Sequence, residues 1–169
     1  MKTNITLLLP LNVYKKKLAS KIASKLNMFF VDIDEMLQFE LMDIKKALSI
    51  GGKNYLDKEE DKLVARLYSY SNTLITLNLA TFLKEENYEF IKKNSLIVYL
   101  EFSSENYAKL LKQEKTDDEL QLNIKLFQER NKLLKKNADI IVFCENTNKQ
   151  NILIELIQKI NEYYTKKGK

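Results

Sequence analysis

Short apolar runs of strand length alternate along this chain with longer segments in which apolar residues recur every three or four positions. Asn4 to Leu9 is the first run, stopped by Pro10. From Lys16 to Leu26 the residues Leu18, Ile22 and Leu26 stand four apart, with Ala19 and Ala23 beside them, which predicts one buried face of an amphipathic helix. Met28 to Val31 is a second short strand. Asp34 to Leu48 and Asp57 to Tyr70 have helical period and are separated by Gly51-Gly52. Leu74 to Leu77 and Leu96 to Glu101 are strand-like, with a helix expected from Ala80 to Lys93 between them. Ser103 to Lys112 and Asp117 to Lys135 are expected helices, the second capped at Thr116 or Asp117. Ala138 to Cys144 is a last strand and Lys149 to Tyr164 a last helix.

Every connection between successive strands contains a helix, so the strands are expected to be parallel and covered on both faces. In open sheets of this kind ligands sit beyond the carboxyl ends of the strands. That rule directs attention to Pro10–Lys17, Asp32–Glu35, Asn78–Thr81 and Glu101–Glu105. No repeat or low-complexity linker divides the chain, which is expected to form one domain over residues 1–169.

Composition narrows the chemistry. The chain has no histidine, which removes Ser-His-Asp catalysis, histidine acid–base chemistry and histidine metal ligation together. Its single cysteine, Cys144, follows the apolar run Ile140 to Phe143 and reads as a small buried hydrophobe. No stretch approaches the roughly 20 apolar residues of a membrane helix, and the run Ile5 to Leu9 is too short for a signal segment. A cytoplasmic protein with no membrane partner is expected. Net charge is +5, from 28 basic and 23 acidic residues. Part of the excess lies in Lys15-Lys16-Lys17, which is either an anion site at a helix start or a solvated lysine cluster. No interleaving of aromatic and basic residues suggests base stacking, so nucleic acid is not the favoured partner. A small anionic ligand or a protein partner remains in view.

Taken in order, these segments resemble the shikimate kinase family of P-loop kinases. Thr6 through Leu26 corresponds to the family's first strand, phosphate loop and first helix. Leu26 through Asp34 is similar to its strand ending in Asp-x-Asp, and Tyr55-Leu56-Asp57-Lys58-Glu59-Glu60 to its Phe-Arg-x-x-Glu segment. Ile97 to Glu101 resembles the strand before the lid. Glu129-Arg130-Asn131, followed by Ala138-Asp139, resembles the late arginine-bearing helix and the next strand. The resemblance implies a three-layer α/β/α P-loop kinase-like fold, a five-stranded parallel sheet flanked by helices. It also implies ATP and Mg²⁺ as cofactors wherever activity is retained.

Residue by residue, the resemblance assigns Lys15 to phosphate binding and Asp32 to Mg²⁺, through water. Asp34 would orient the substrate hydroxyl and take its proton, and Arg130 would grip the substrate carboxylate. An arginine there is notable because Arg66 is the only other one in the chain. Elsewhere the family pattern is broken. A phosphate loop needs glycines so that its amides can wrap the ligand, and a Ser or Thr hydroxyl for the metal. Here Leu9, Asn12 and Tyr14 stand at glycine positions and Lys16 at the hydroxyl position. Asn78-Leu79-Ala80 replaces a substrate-lining triple glycine, and Leu56 replaces a substrate-binding arginine. The lid segment reads Lys115-Thr116-Asp117-Asp118-Glu119, acidic where phosphoryl transfer needs a cation, although Lys112 and Lys115 lie nearby. These losses together lead to the expectation of a pseudokinase with a binding role. The alternatives are a divergent but active shikimate or other small-molecule kinase, and a basic-surface module for a protein or nucleic acid.

Overall fold

Five parallel strands lie in the order β2-β3-β1-β4-β5. They are β1 (Asn4–Leu8), β2 (Phe29–Asp32), β3 (Thr73–Thr76), β4 (Ser95–Phe102) and β5 (Ile140–Cys144). The structure is a computed structural model describing residues 3–10, 12–111, 117–144 and 149–167. Register is continuous across the sheet, with Thr6 opposite Ile75 on one side and Ile97 on the other. The parallel sheet with helices on both faces is the architecture expected from the alternating pattern.

β1 is buried along its whole length because both of its faces are covered. Ile5, Leu7 and Leu9 enter one core together with Val98 and Leu100. That core also receives Leu18 and Ile22 of α1 (Asn12–Lys25) and Leu156 of α8 (Lys149–Lys167). Leu8, Ile75 and Tyr99 face the opposite core, closed by Ile33 of α2 (Ile33–Leu41) and by Leu63 and Leu67 of α3 (Ile44–Leu67). The remaining helices are α4 (Leu79–Phe82), α5 (Glu85–Asn94), α6 (Ser104–Leu111) and α7 (Asp117–Asn137). No helix of the described residues is long and apolar enough to cross a membrane.

Three element boundaries differ from expectation. α1 begins at Asn12, not near Lys16, so the backbone that follows β1 is already helical before Lys15. The first helical break after β2 falls at Met42-Asp43, where Met42 has φ 58° and Asp43 caps α3 by accepting the Lys46 N–H at 2.9 Å. Gly51-Gly52 interrupts the helix as expected: Gly52, at φ 70° and ψ 177°, is a non-helical kink between the two helical stretches of α3. The helix expected over Ala80–Lys93 is likewise split, α4 being capped by Asn78 and α5 starting only at Glu85. Lys112, Lys115 and Thr116 lie outside the described residues.

Candidate functional site

Asp32 ends β2 and caps α2, and both duties follow from its position. Its Oδ1 accepts the Glu35 backbone N–H at 3.1 Å, satisfying a donor that the helix start leaves free. Its Oδ2 accepts the Thr76 hydroxyl at 2.6 Å, across from the neighbouring strand β3. α2 begins at the next residue, and its first turn carries Asp34 and Glu35, where carboxylates favour the helix dipole.

Into this carboxylate pair runs Lys15, from the first half of α1. Its Nζ lies 2.5 Å from Asp34 Oδ2 and 3.1 Å from Asp32 Oδ2. Lys15 and Asp32 are each only 5% exposed, whereas the Asp34 side chain is 39% exposed and faces the rim. A buried ammonium requires such pairing, since an isolated charge there would cost several kcal/mol, on the order of the desolvation penalty. The lysine run is therefore not one feature. Lys15 is sunk among carboxylates, Lys16 pairs at the surface with Glu35 at 2.5 Å, and Lys17 is exposed.

A second polar layer adjoins the first. Asn78, just beyond β3, donates from Nδ2 to Glu60 Oε1 at 2.8 Å and to Asp34 Oδ1 at 3.3 Å. Its own Oδ1 accepts the Thr81 N–H at 2.8 Å and so caps α4. Glu60 is 8% exposed and shares Lys84 with Asp57 and Asp61, at 3.5, 3.8 and 2.9 Å respectively. Burial opposes the charge on Lys84, but its hydrogen bond to Asp61 and the three surrounding carboxylates prevail and raise its pKa.

Arg130 belongs to neither layer. It is half-buried on α7, near enough to Tyr107 of α6 to oppose the upward push that burial gives that phenol. Among the described residues no carboxylate lies within ion-pair distance of it. Asp139, the nearest partner along the chain, instead accepts the Ile97 N–H at 2.9 Å. The next residue, Asn131, accepts the Tyr99 hydroxyl at 3.0 Å and donates to Glu101 Oε1 at 3.4 Å, and Lys135 holds the same oxygen at 2.8 Å.

Of the four residues singled out in the sequence, the fold brings Lys15, Asp32 and Asp34 into one ion cluster and leaves Arg130 outside it. Thr76, Glu60 and Lys84 complete the surroundings; Thr76 and Lys84 carried no signal of their own, and Glu60 lay at the end of the segment that resembles the Phe-Arg-x-x-Glu motif. Asn78 was visible only as a side chain at a position where the resembling family has glycine. Arranged this way, the cluster can hold an ammonium between two carboxylates and present one carboxylate edge to solvent.

A family model described as shikimate kinase matches residues 12–161. A shikimate kinase of Haemophilus influenzae is 23% identical over 171 residues, covering 95% of this chain and 95% of that protein. Among solved structures, shikimate kinase from Acinetobacter baumannii in complex with shikimate superposes with a TM-score of 0.82. It is 18% identical, over 96% of this chain and 95% of that one. Shikimate kinase from Aquifex aeolicus has a TM-score of 0.79 at 24% identity, over 96% and 98%.

Proposed function

The chain belongs to the shikimate kinase family, and we propose that within it this protein is a pseudokinase, a cytoplasmic kinase-fold protein that binds but does not carry out ordinary ATP-dependent phosphoryl transfer. The single observation that carries this reading is the position of Lys15. Its ammonium is the only cation left of the family's phosphate loop, and it is held by Asp34 at 2.5 Å and Asp32 at 3.1 Å. A phosphate and a substrate hydroxyl would each have to compete for atoms already bonded to one another.

Active family members use ATP and magnesium, and the residues present here do not fit a magnesium nucleotide. A phosphate cradle is a loop of free backbone amides, whereas helix α1 runs from Asn12. No glycine occurs between Leu9 and Lys17. The metal-binding hydroxyl is replaced by Lys16, whose ammonium is bound to Glu35. Asp32 already serves the Glu35 amide, the Thr76 hydroxyl and Lys15. Among the described residues no three acidic or thiol side chains are grouped to hold a metal ion. Phosphoryl transfer rests on positioning and charge stabilisation, so simultaneous loss of these parts removes most of the catalysis.

A coupled ADP-release assay with Mg²⁺, ATP and shikimate tests the reading, the expected result being no turnover above a protein-free control. The second reading, a divergent active kinase, is favoured by one observation: Asp32, Asp34 and Lys15 still converge. Turnover that disappears in Asp34→Asn would establish it and overturn the pseudokinase.

A further inference from the structure

The net charge of this protein resides in one helix. α1 contains five lysines and no acidic residue, and subtracting those five leaves 23 basic against 23 acidic residues in the rest of the chain. Lys15 and Lys16 are spent on Asp32, Asp34 and Glu35. The other three, Lys17, Lys21 and Lys25, stand four residues apart and line a groove of about 730 Å³ between α1 and α8. All three are exposed, and none has a carboxylate partner among the described residues.

Lys45, Lys46 and Lys58 on α3 are likewise exposed without a carboxylate partner among the described residues, so what sets the α1 row apart is the groove its lysines share. Lys53, Lys62, Lys84, Lys135 and Lys159 each find a carboxylate within 3.0 Å. Like charges four apart on a helix repel, while the helix dipole favours only Lys25, which stands in the last turn of α1. The row therefore carries a local cost that an anion would relieve.

We propose that the groove between α1 and α8 is a binding site for a small organic molecule bearing two or three phosphate groups in a line. At a rise of about 1.5 Å per residue, successive lysines of the row are about 6 Å apart and its ends about 12 Å apart. That spacing offers a separate ammonium to each of two or three anionic groups. Lysine recognises phosphate as a point charge, without the planar geometry that arginine imposes. Ser20 and Ser24 line the same groove and supply hydroxyl donors, while Leu18 and Leu153 give it an apolar wall for a carbon skeleton. Among the described residues no carboxylate and no aromatic ring lines it. The absence of rings removes the stacking platform that single-stranded nucleic acid uses, which favours a small ligand over a polymer. Lys15 takes no part, so the site is independent of the proposal that the kinase centre is silent.

Calorimetric titration of the full chain with inorganic tripolyphosphate, in about 0.01 M salt where screening is weak, is the test. Binding is expected, and the Lys17→Gln, Lys21→Gln, Lys25→Gln triple variant should weaken it at least tenfold. A control triple variant, Lys45→Gln, Lys46→Gln, Lys58→Gln, removes the same charge from exposed positions of α3 and should leave affinity within twofold. Circular dichroism and thermal unfolding verify that both variants fold. No binding, or equal weakening by the two triple variants, overturns the site. So does a single-stranded oligonucleotide that binds through the same three lysines more than tenfold tighter than tripolyphosphate.

Discussion

The Lys15 ammonium and the Asp34 carboxylate meet at 2.5 Å, joining the first half of α1 to the first turn of α2. Asp32 makes the same ammonium a shared one, at 3.1 Å. The cluster ties two helices on opposite faces of the sheet across the ends of β1 and β2, which gives Lys15 a structural duty whatever else it does.

Lys15→Met should therefore destabilise the protein by about 3 kcal/mol, because Asp32 is left as a buried charge without its cation. Asp34 contributes less to that loss, being 39% exposed at its side chain. Urea unfolding of Lys15→Met, Asp32→Asn and the double variant checks this. The double variant should be clearly more stable than the sum of the single losses predicts, since neutralising Asp32 removes the stranded charge. Strict additivity would mean that the two groups do not interact.

Asp32 itself separates charge from capping. Asp32→Ala loses the bond to the Glu35 N–H, about 1 kcal/mol, and leaves the buried Thr76 hydroxyl without its acceptor, about 1–3 kcal/mol more. Asp32→Asn keeps an oxygen for the cap, so it should unfold at a higher urea concentration than Asp32→Ala. The reverse order would show that the cap contributes little to α2.

The fold was legible because β1, β3, β4 and β5 are short apolar runs bounded by helical periods, a pattern that burial on both faces of a parallel sheet imposes directly. Helix ends were less legible. Across Met42-Asp43 the apolar positions Leu41, Ile44 and Leu48 continue at helical spacing, so periodicity runs through a break that only the Asp43 cap and the φ of Met42 reveal. At the site, the ends of β2 and β3 could be placed from the resemblance to a family. That Lys15 is buried against Asp32 and Asp34 could not, because the partners lie 17 and 19 residues away and meet only through packing. Exposed and sunken lysines look alike in a run of three. Asn78 shows the same limit: its three contacts, to Asp34, Glu60 and Thr81, come from separate elements.

Gly52 sits at φ 70° and ψ 177°, a region that side chains with a Cβ scarcely enter. A methyl group there would meet nothing within 4 Å, so the cost of Gly52→Ala is conformational and not steric crowding. It should be of the order of 1–3 kcal/mol. Asparagine, which relieves left-handed helical positions, should give no rescue because ψ lies far from that region. Thermal unfolding of Gly52→Ala and Gly52→Asn, with equal losses expected, checks the argument; a neutral Gly52→Ala would mean that the kink straightens freely.

Cys144 offers a probe of the sheet and a pH signature. It lies on β5 at 2% exposure, and burial pushes its thiol up from 9.0 to about 12, with Glu155 adding to the rise and Lys159 opposing it. The unfolded chain releases this proton near the ordinary value, while the folded chain holds it to about 12. Between those values the folded state binds more protons, so the contribution of the thiol to stability is complete below 9.0 and is lost as pH rises toward 12. Unfolding free energy should therefore fall with pH across that window, and Cys144→Ala should make the fall shallower. Some fall must persist, because burial also raises the phenols of Tyr68 and Tyr99. The same burial predicts that a thiol reagent at about pH 8 modifies the native protein roughly a hundredfold more slowly than the urea-unfolded chain, since attack needs both exposure and thiolate. Equal labelling rates in the two states would place Cys144 at the surface and remove the basis for the pH effect.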